Sequence, residues 1–251
     1  MREADKLRFE LCAAEVILSK RKESTNIGTY KEKRLHQVLK NFCEPDALCH
    51  EVSIGQYVAD ILKDDEIIEI QTGSFYPMRN KIKYYLEKTN YKVTVVRPLP
   101  YIKWCLWIDP DSSEIVSRRK SPKKFQPKDI MRDWIYLSDF LCHERFKIKF
   151  LLIEEEEYRL LCGWSKSRKQ GSKRYERIPL KLIDEKVYKT REDYMEFLPE
   201  SLGKSFTAAE YIKTSKQTSY GGYAALKILS QLGLLRKSDK KEGRKFIYTR
   251  I

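Results

Sequence analysis

Apolar positions along the first half of the chain switch between a helical and an extended period. Leu7, Phe9, Leu11, Val16, Ile17 and Leu18 make residues 1–20 a helix with packing residues, and a second helix is expected over 30–42. Three strands follow at 47–53, 57–62 and 66–71. In the third, Ile68 and Ile70 point to one face, Glu69 and Gln71 to the other. A helix over 79–89 comes next, then strands over 92–96 and 103–108 joined by a Pro98–Pro100 turn. The order helix, three strands, helix, two strands predicts an α/β fold: a mixed central sheet flanked by helices.

Further along, residues 109–128, with Pro110, Pro122 and Pro127, read as a basic linker. A helix is expected over 129–142, a strand over 146–153, and Glu154–Glu157 as a solvated acidic face. Trp104 and Trp107 are expected in the core. The segment 206–251 has a sharper pattern. Thr207 and Glu210 match a capping box. Tyr223, Leu226, Leu229 and Leu232 recur on one face of a helix over 219–232, and Gly233 stands where a C′ glycine ends it. Residues 234–237 and 245–248 flank a polar turn, a β-hairpin. Helix, helix and basic hairpin together resemble a winged helix-turn-helix domain, whose second helix enters the major groove. On that resemblance Lys237, Lys240, Lys241, Arg244 and Lys245 contact phosphates from the wing, and Tyr220 reaches DNA from the helix start. A small helix-hairpin unit used for dimerisation or protein docking is the alternative. The division expected is 1–118, a bridging region 119–200, and 201–251.

Composition narrows the class. The 251 residues are 41% hydrophobic and 34% charged, with only 10 Gly and 9 Pro, which excludes a collagen-like or wholly disordered chain. No apolar run approaches the ~18 residues of a membrane helix. Glu15 interrupts the best N-terminal stretch, so no signal peptide and no membrane contact are expected. Cys12, Cys43, Cys49, Cys105, Cys142 and Cys162 form no C-x-x-C motif, and His36, His50 and His143 are scattered. They read as reduced thiols of a cytoplasmic protein without a zinc motif. Fifty Lys+Arg against 36 Asp+Glu leave a net charge of +14, and residues 201–251 hold 11 basic and 3 acidic side chains. Basic clusters also occur at Arg118, Arg119, Lys120, Lys123, Lys124 and at Lys166, Arg168, Lys169, Lys173, Arg174. This distribution points to a polyanion, nucleic acid first, over a lysine-rich surface with no partner.

The candidate chemistry lies in the hairpin at 57–71. Asp60 and Glu69 can face each other across it, although both sit in apolar runs. Paired carboxylates there repel and are costly to desolvate, and a divalent cation relieves both costs. Glu32 shares a helical stripe with Leu35, His36 and Leu39, so a third acid faces the core; His36 itself reads as a packed residue. The set Asp60-x8-Glu69-x-Gln71, on adjacent strands after a helix carrying Glu32, resembles the PD-(D/E)xK nuclease superfamily over roughly residues 25–110.

That resemblance implies a restriction-endonuclease-like fold and phosphodiester hydrolysis with Mg²⁺ or Mn²⁺. Asp60, Glu69 and the Ile70 carbonyl would be metal ligands, Glu32 a further ligand direct or through water, and Gln71 would position the attacking water. Two departures stand out: Ala59 where Pro is common, and Gln71 where the family has Lys. Lys81 or Lys83 on the next helix is a candidate replacement for that charge. The expectation is a metal-dependent DNA endonuclease of restriction or defence type, with a homodimer to cut both strands. The alternatives are a structure-specific junction or repair nuclease and a non-catalytic DNA-binding regulator on a degenerate nuclease fold.

Overall fold

A computed structural model of the chain describes residues 2–23, 34–162, 171, 173–243 and 245–251. Helix α1 (Glu3–Glu23) and helix α2 (Arg34–Cys43) precede a hairpin of β1 (His50–Ile54) and β2 (Tyr57–Lys63). Strand β3 (Glu66–Ile70), helix α3 (Arg79–Lys88) and strand β4 (Lys92–Ile108) follow, then β5 (Ile115–Lys120). A short helix α4 (Met131–Trp134), flanked by 3₁₀ turns, leads into β6 (Phe146–Leu160) and β7 (Lys173–Tyr188). These strands form one mixed seven-stranded sheet in the order β1-β2-β3-β4-β6-β7, with β5 paired to β4. β1, β2 and β3 are antiparallel; β3, β4 and β6 run parallel.

The two faces of the sheet bury different layers. One packs Phe9, Ala13 and Val16 of α1 and Leu35, Val38 and Leu39 of α2 against Ile61, Ile70, Val96, Leu151 and Ile153. The other packs Ile82 and Tyr85 of α3 against Ile67, Val93 and Val95. There Trp134 is fully buried, stacked on Phe150 and edge-on to Tyr188 and Phe197. Leu7, Leu11 and Leu18 are exposed, not packed as expected, because α1 buries only the face carrying Phe9, Ala13 and Val16.

Several expectations are corrected. There is no Pro98–Pro100 turn: β4 is one continuous strand. Proline cannot donate to a ladder, so it survives only where its N side has no partner. Both prolines lie between residue 96, where pairing to β3 ends, and residue 104, where pairing to β5 begins, while β6 pairs on the other side. Residues 109–128 are not a linker throughout, since they contain β5. The helix expected over 129–142 shortens to α4 and its 3₁₀ turns. Residues 119–200, expected as a bridge, supply β6 and β7 to the central sheet. The acidic block is not a solvated face: β6 runs through it, and Glu155 and Glu157 are each 1% exposed. Trp104 and Trp107 are half-buried. Arg118 lies 3.9 Å over the Trp104 ring, whose Nε1 donates to Glu154 at 2.7 Å.

The C-terminal segment is β8 (Ser205–Thr207), α5 (Ala208–Ser215), α6 (Ser219–Gln231), β9 (Leu235–Glu242) and β10 (Lys245–Arg250). Its sheet runs in the order β8-β10-β9. Thr207 and Glu210 form the capping box of α5. The α6 end is a Schellman motif: Leu234 N–H donates to Leu229 O and Gly233 N–H to Ser230 O, with Gly233 at φ +68°. Leu226, Leu229 and Leu232 are buried as expected, but Tyr223 is exposed, because Gly222 rather than Tyr223 packs on Ile212 of α5.

Candidate active site

The β2–β3 pairing, Ile61↔Ile68, Leu62↔Ile67 and Lys63↔Glu66, ends just before Asp60 and Glu69, the next residue on each strand. Asp60 Oδ2 accepts the Ile70 backbone N–H at 2.7 Å and lies 3.4 Å from His36 Nε2. His36 thus sits at the site, half-buried on α2, rather than simply packed. Glu69 is 2% exposed. Helix α3 crosses above it with Lys81 and Tyr85 one turn apart. Lys81 Nζ donates to Glu69 Oε2 at 2.6 Å, and the Tyr85 hydroxyl donates to Glu69 Oε1 at 3.3 Å.

The electrostatics separate the two acids. Burial, reinforced by the Asp60 charge, pushes the Glu69 carboxyl up to about 7, even with Lys81 opposing. Burial acts on Asp60 in the same direction, but the His36 and Ile70 hydrogen bonds outweigh it and hold its carboxyl below the usual range. Burial and the neighbouring Glu69 raise the Tyr85 phenol, which stays a donor. Near neutrality one acid is therefore a fixed anion and the other is poised to exchange a proton, a division of roles common at catalytic carboxylate pairs.

Gln71 does not join the acids. Its Nε2 donates to the Ser74 carbonyl at 2.7 Å and its Oε1 accepts the Gly73 N–H at 3.2 Å, so it closes the turn after β3. That turn is pinned by Asp133, which accepts from Ser74 Oγ at 2.6 Å, from the Phe75 N–H at 3.1 Å and from Arg97 at 2.7 Å. Ile70 contributes its N–H to Asp60 and buries its side chain. Glu32 lies outside the described residues. Among the described residues no cluster of three His, Cys, Asp or Glu side chains is placed to hold a metal. Asp60 and Glu69, whose charges act on each other, are the pair from which a hard divalent cation, which commonly takes one or two carboxylates, would draw its ligands. Tyr85 was missed in the sequence; its i,i+4 spacing from Lys81 was the available signal.

The C-terminal candidates divide. Tyr220 is 75% exposed at the start of α6, with the Arg132 guanidinium 5.4 Å from its ring. Lys237 lies 3.7 Å from the Phe246 ring centre, and Lys245 is exposed on β10. Lys240 and Lys241 are on β9, though their side chains lie outside the described ones; Arg244 lies outside the described residues altogether, as do Lys166, Arg168 and Lys169. No helix among the described residues is long and apolar enough to cross a membrane.

The chain is 26% identical over 223 residues to an uncharacterized protein of Treponema pallidum (strain Nichols), covering 88% of this chain and 86% of that one. No solved structure matches it. A family profile matches residues 33–189, from α2 through β7, which takes in the whole central sheet and stops short of β8. The chain belongs to the family described as Domain of unknown function (DUF8091).

Proposed function

We propose that the chain is a metal-dependent DNA endonuclease on a restriction-endonuclease-like fold, with the C-terminal unit acting as a winged helix that grips the duplex. The observation that carries this reading is the buried Glu69, with Lys81 at 2.6 Å and the Asp60 charge close enough to act on it. The order α2, three antiparallel strands, α3 and a strand parallel to the third supports it.

Asp60, Glu69 and the Ile70 carbonyl are the groups that would hold Mg²⁺ or Mn²⁺. When bound, such a cation neutralises phosphate charge and makes a water nucleophilic. His36 and the Ile70 N–H keep Asp60 ionised for that task. Lys81 brings to the site the positive charge that Gln71 lacks, delivered from α3 instead of β3. Glu69 would be held in its ionised form by a bound cation, which offsets the burial that raises its carboxyl in the free chain. Tyr220, Lys237 and Lys245 offer exposed groups to the DNA backbone, and a homodimer would supply a second site for the second strand.

A second reading, a DNA-binding regulator without catalysis, is favoured by one observation: the Gln71 side chain is spent on its own turn. Supercoiled plasmid, linear duplex and four-way junctions incubated with Mg²⁺, Mn²⁺ or EDTA separate the possibilities. Metal-dependent cutting of plasmid and duplex is the expected result. Cutting of junctions alone would move the assignment to a structure-specific nuclease. Intact DNA with a gel shift would favour the regulator, and DNA neither cut nor bound would overturn both.

A further inference from the structure

Past the end of β3, β4 and β6 run on together and floor an open cleft of about 550 Å³. Its near end, at Thr72 and Arg97, begins just past the acid pair, and its far end lies well away from it. Glu69 is level with Val95 and Ile148 in the sheet, and Glu155 lies seven residues further along β6, roughly 20 Å at the rise of a strand. Among the described residues five cations line the cleft: Arg97, Lys103, Arg132, Arg174 and Arg177. They outnumber its three acids, Asp133, Glu155 and Glu157. Pro98, Phe125 and Tyr136 give it apolar walls.

The acids differ in how they are satisfied. Asp133 is spent on Arg97 and the turn after β3. Glu157 pairs with Arg159, with Arg174 at 3.1 Å and with Lys103 at 3.7 Å. Glu155 is 1% exposed, and its Oε2 has no hydrogen-bond partner. Leaving a buried carboxylate oxygen unmatched is costly, and native proteins seldom tolerate it without a ligand or water to meet it. An anion alone would leave that oxygen unmet and most of the cleft unfilled, since clefts of about 300–1,000 Å³ accommodate whole small molecules. A ligand that satisfies every feature carries a phosphate for the guanidinium groups, a flat ring for the apolar walls and N–H donors for Glu155.

We propose that this cleft binds a guanosine 5′-phosphate unit, with its phosphate on the arginines and the N–H edge of its base on Glu155. Guanine presents two adjacent donors, N1–H and the 2-amino group, which match a carboxylate; uracil presents one N–H between two acceptors. The unit is either a free nucleotide or the terminal nucleotide of a DNA strand, which share this chemistry. The inference does not depend on the nuclease reading, because binding is measured without metal and without cutting.

Calorimetric titration of the full chain tests it, with GMP, UMP and inorganic phosphate as separate ligands. GMP is expected to bind at least tenfold more tightly than UMP, and phosphate more weakly than either. Arg132→Ala and Arg174→Ala change exposed side chains and should leave the melting temperature near that of the parent while weakening GMP at least tenfold. Glu155→Gln should remove the preference for GMP over UMP, since the carboxamide offers one acceptor where two are needed. A dG-ended oligonucleotide with and without a 5′-phosphate identifies the source: tighter binding of the phosphorylated strand than of GMP assigns the cleft to strand ends, and the reverse to a free nucleotide. Equal affinity for GMP and UMP in the parent would overturn the proposal. So would undiminished GMP binding by both arginine variants, or a preference that survives Glu155→Gln.

Discussion

Replacing Glu69 by Gln should stabilise the protein at alkaline pH and not at acidic pH. In the folded chain this carboxyl titrates near 7, against 4.5 for an ordinary glutamate. Between those values the folded state holds a proton that the unfolded chain has released, so stability falls as pH rises through the window. At 1.36 kcal/mol per pKa unit, the cost of an ionised Glu69 grows from about 1 kcal/mol at pH 5 to about 3 kcal/mol at pH 8. Glu69→Gln removes that pH-dependent cost and keeps the shape. Its stability relative to the parent should therefore rise by about 2.5 kcal/mol between pH 5 and pH 8. The Lys81 ion pair, which forms only with the ionised carboxylate, is already contained in the raised pKa, and the altered contact to Tyr85 largely cancels between the two pH values. Urea denaturation of both proteins at the two pH values measures the difference. For a chain of this length, 2.5 kcal/mol corresponds to a shift in melting temperature of roughly 5–10 °C. A difference that stays flat with pH, or that reverses, would refute the view of Glu69 as an anion held at a cost in stability.

Three further outcomes follow from the same geometry. Lys81→Met should slow metal-dependent cutting by about 10²–10³-fold, with Lys81→Arg recovering part of the loss in a plasmid-nicking assay. Gly55→Ala should cost about 1–3 kcal/mol in thermal denaturation, because Gly55 holds φ +59° in the β1–β2 turn and an added Cβ would lie 1.9 Å from the Tyr84 hydroxyl. Tyr220→Ala combined with Lys237→Ala should weaken duplex binding in gel shifts, and the affinity should fall less steeply with salt, by about one unit of log–log slope for the lost phosphate contact.

Local signals carried much of this architecture, and long-range pairing decided the rest. The β2–β3 hairpin was legible because alternation and a short turn specify it. The capping box at Thr207 and the end of α6 at Gly233 were legible because a few adjacent residues write them. The run of β4 through Pro98 and Pro100 was not, because it depends on which neighbour each edge of the strand meets. Glu154–Glu157 looked solvated because four acids in a row signal charge, whereas β6 buries Glu155 and Glu157, the latter against Lys103 of β4 and Arg174 of β7. Lys81 could be named from the sequence but its contact with Glu69 could not: the angle at which α3 crosses the sheet sets that contact, and no motif encodes it.

The central claim is that Asp60 and Glu69 together form a divalent-cation site. Titrating Mn²⁺ into the chain at pH 8, with free Mn²⁺ followed by electron paramagnetic resonance, tests it without any assumption about substrate. One bound Mn²⁺ per chain, lost in both Asp60→Asn and Glu69→Gln while each variant stays folded, is the result predicted. The same binding in the parent and in both variants, or none in the parent, would contradict it.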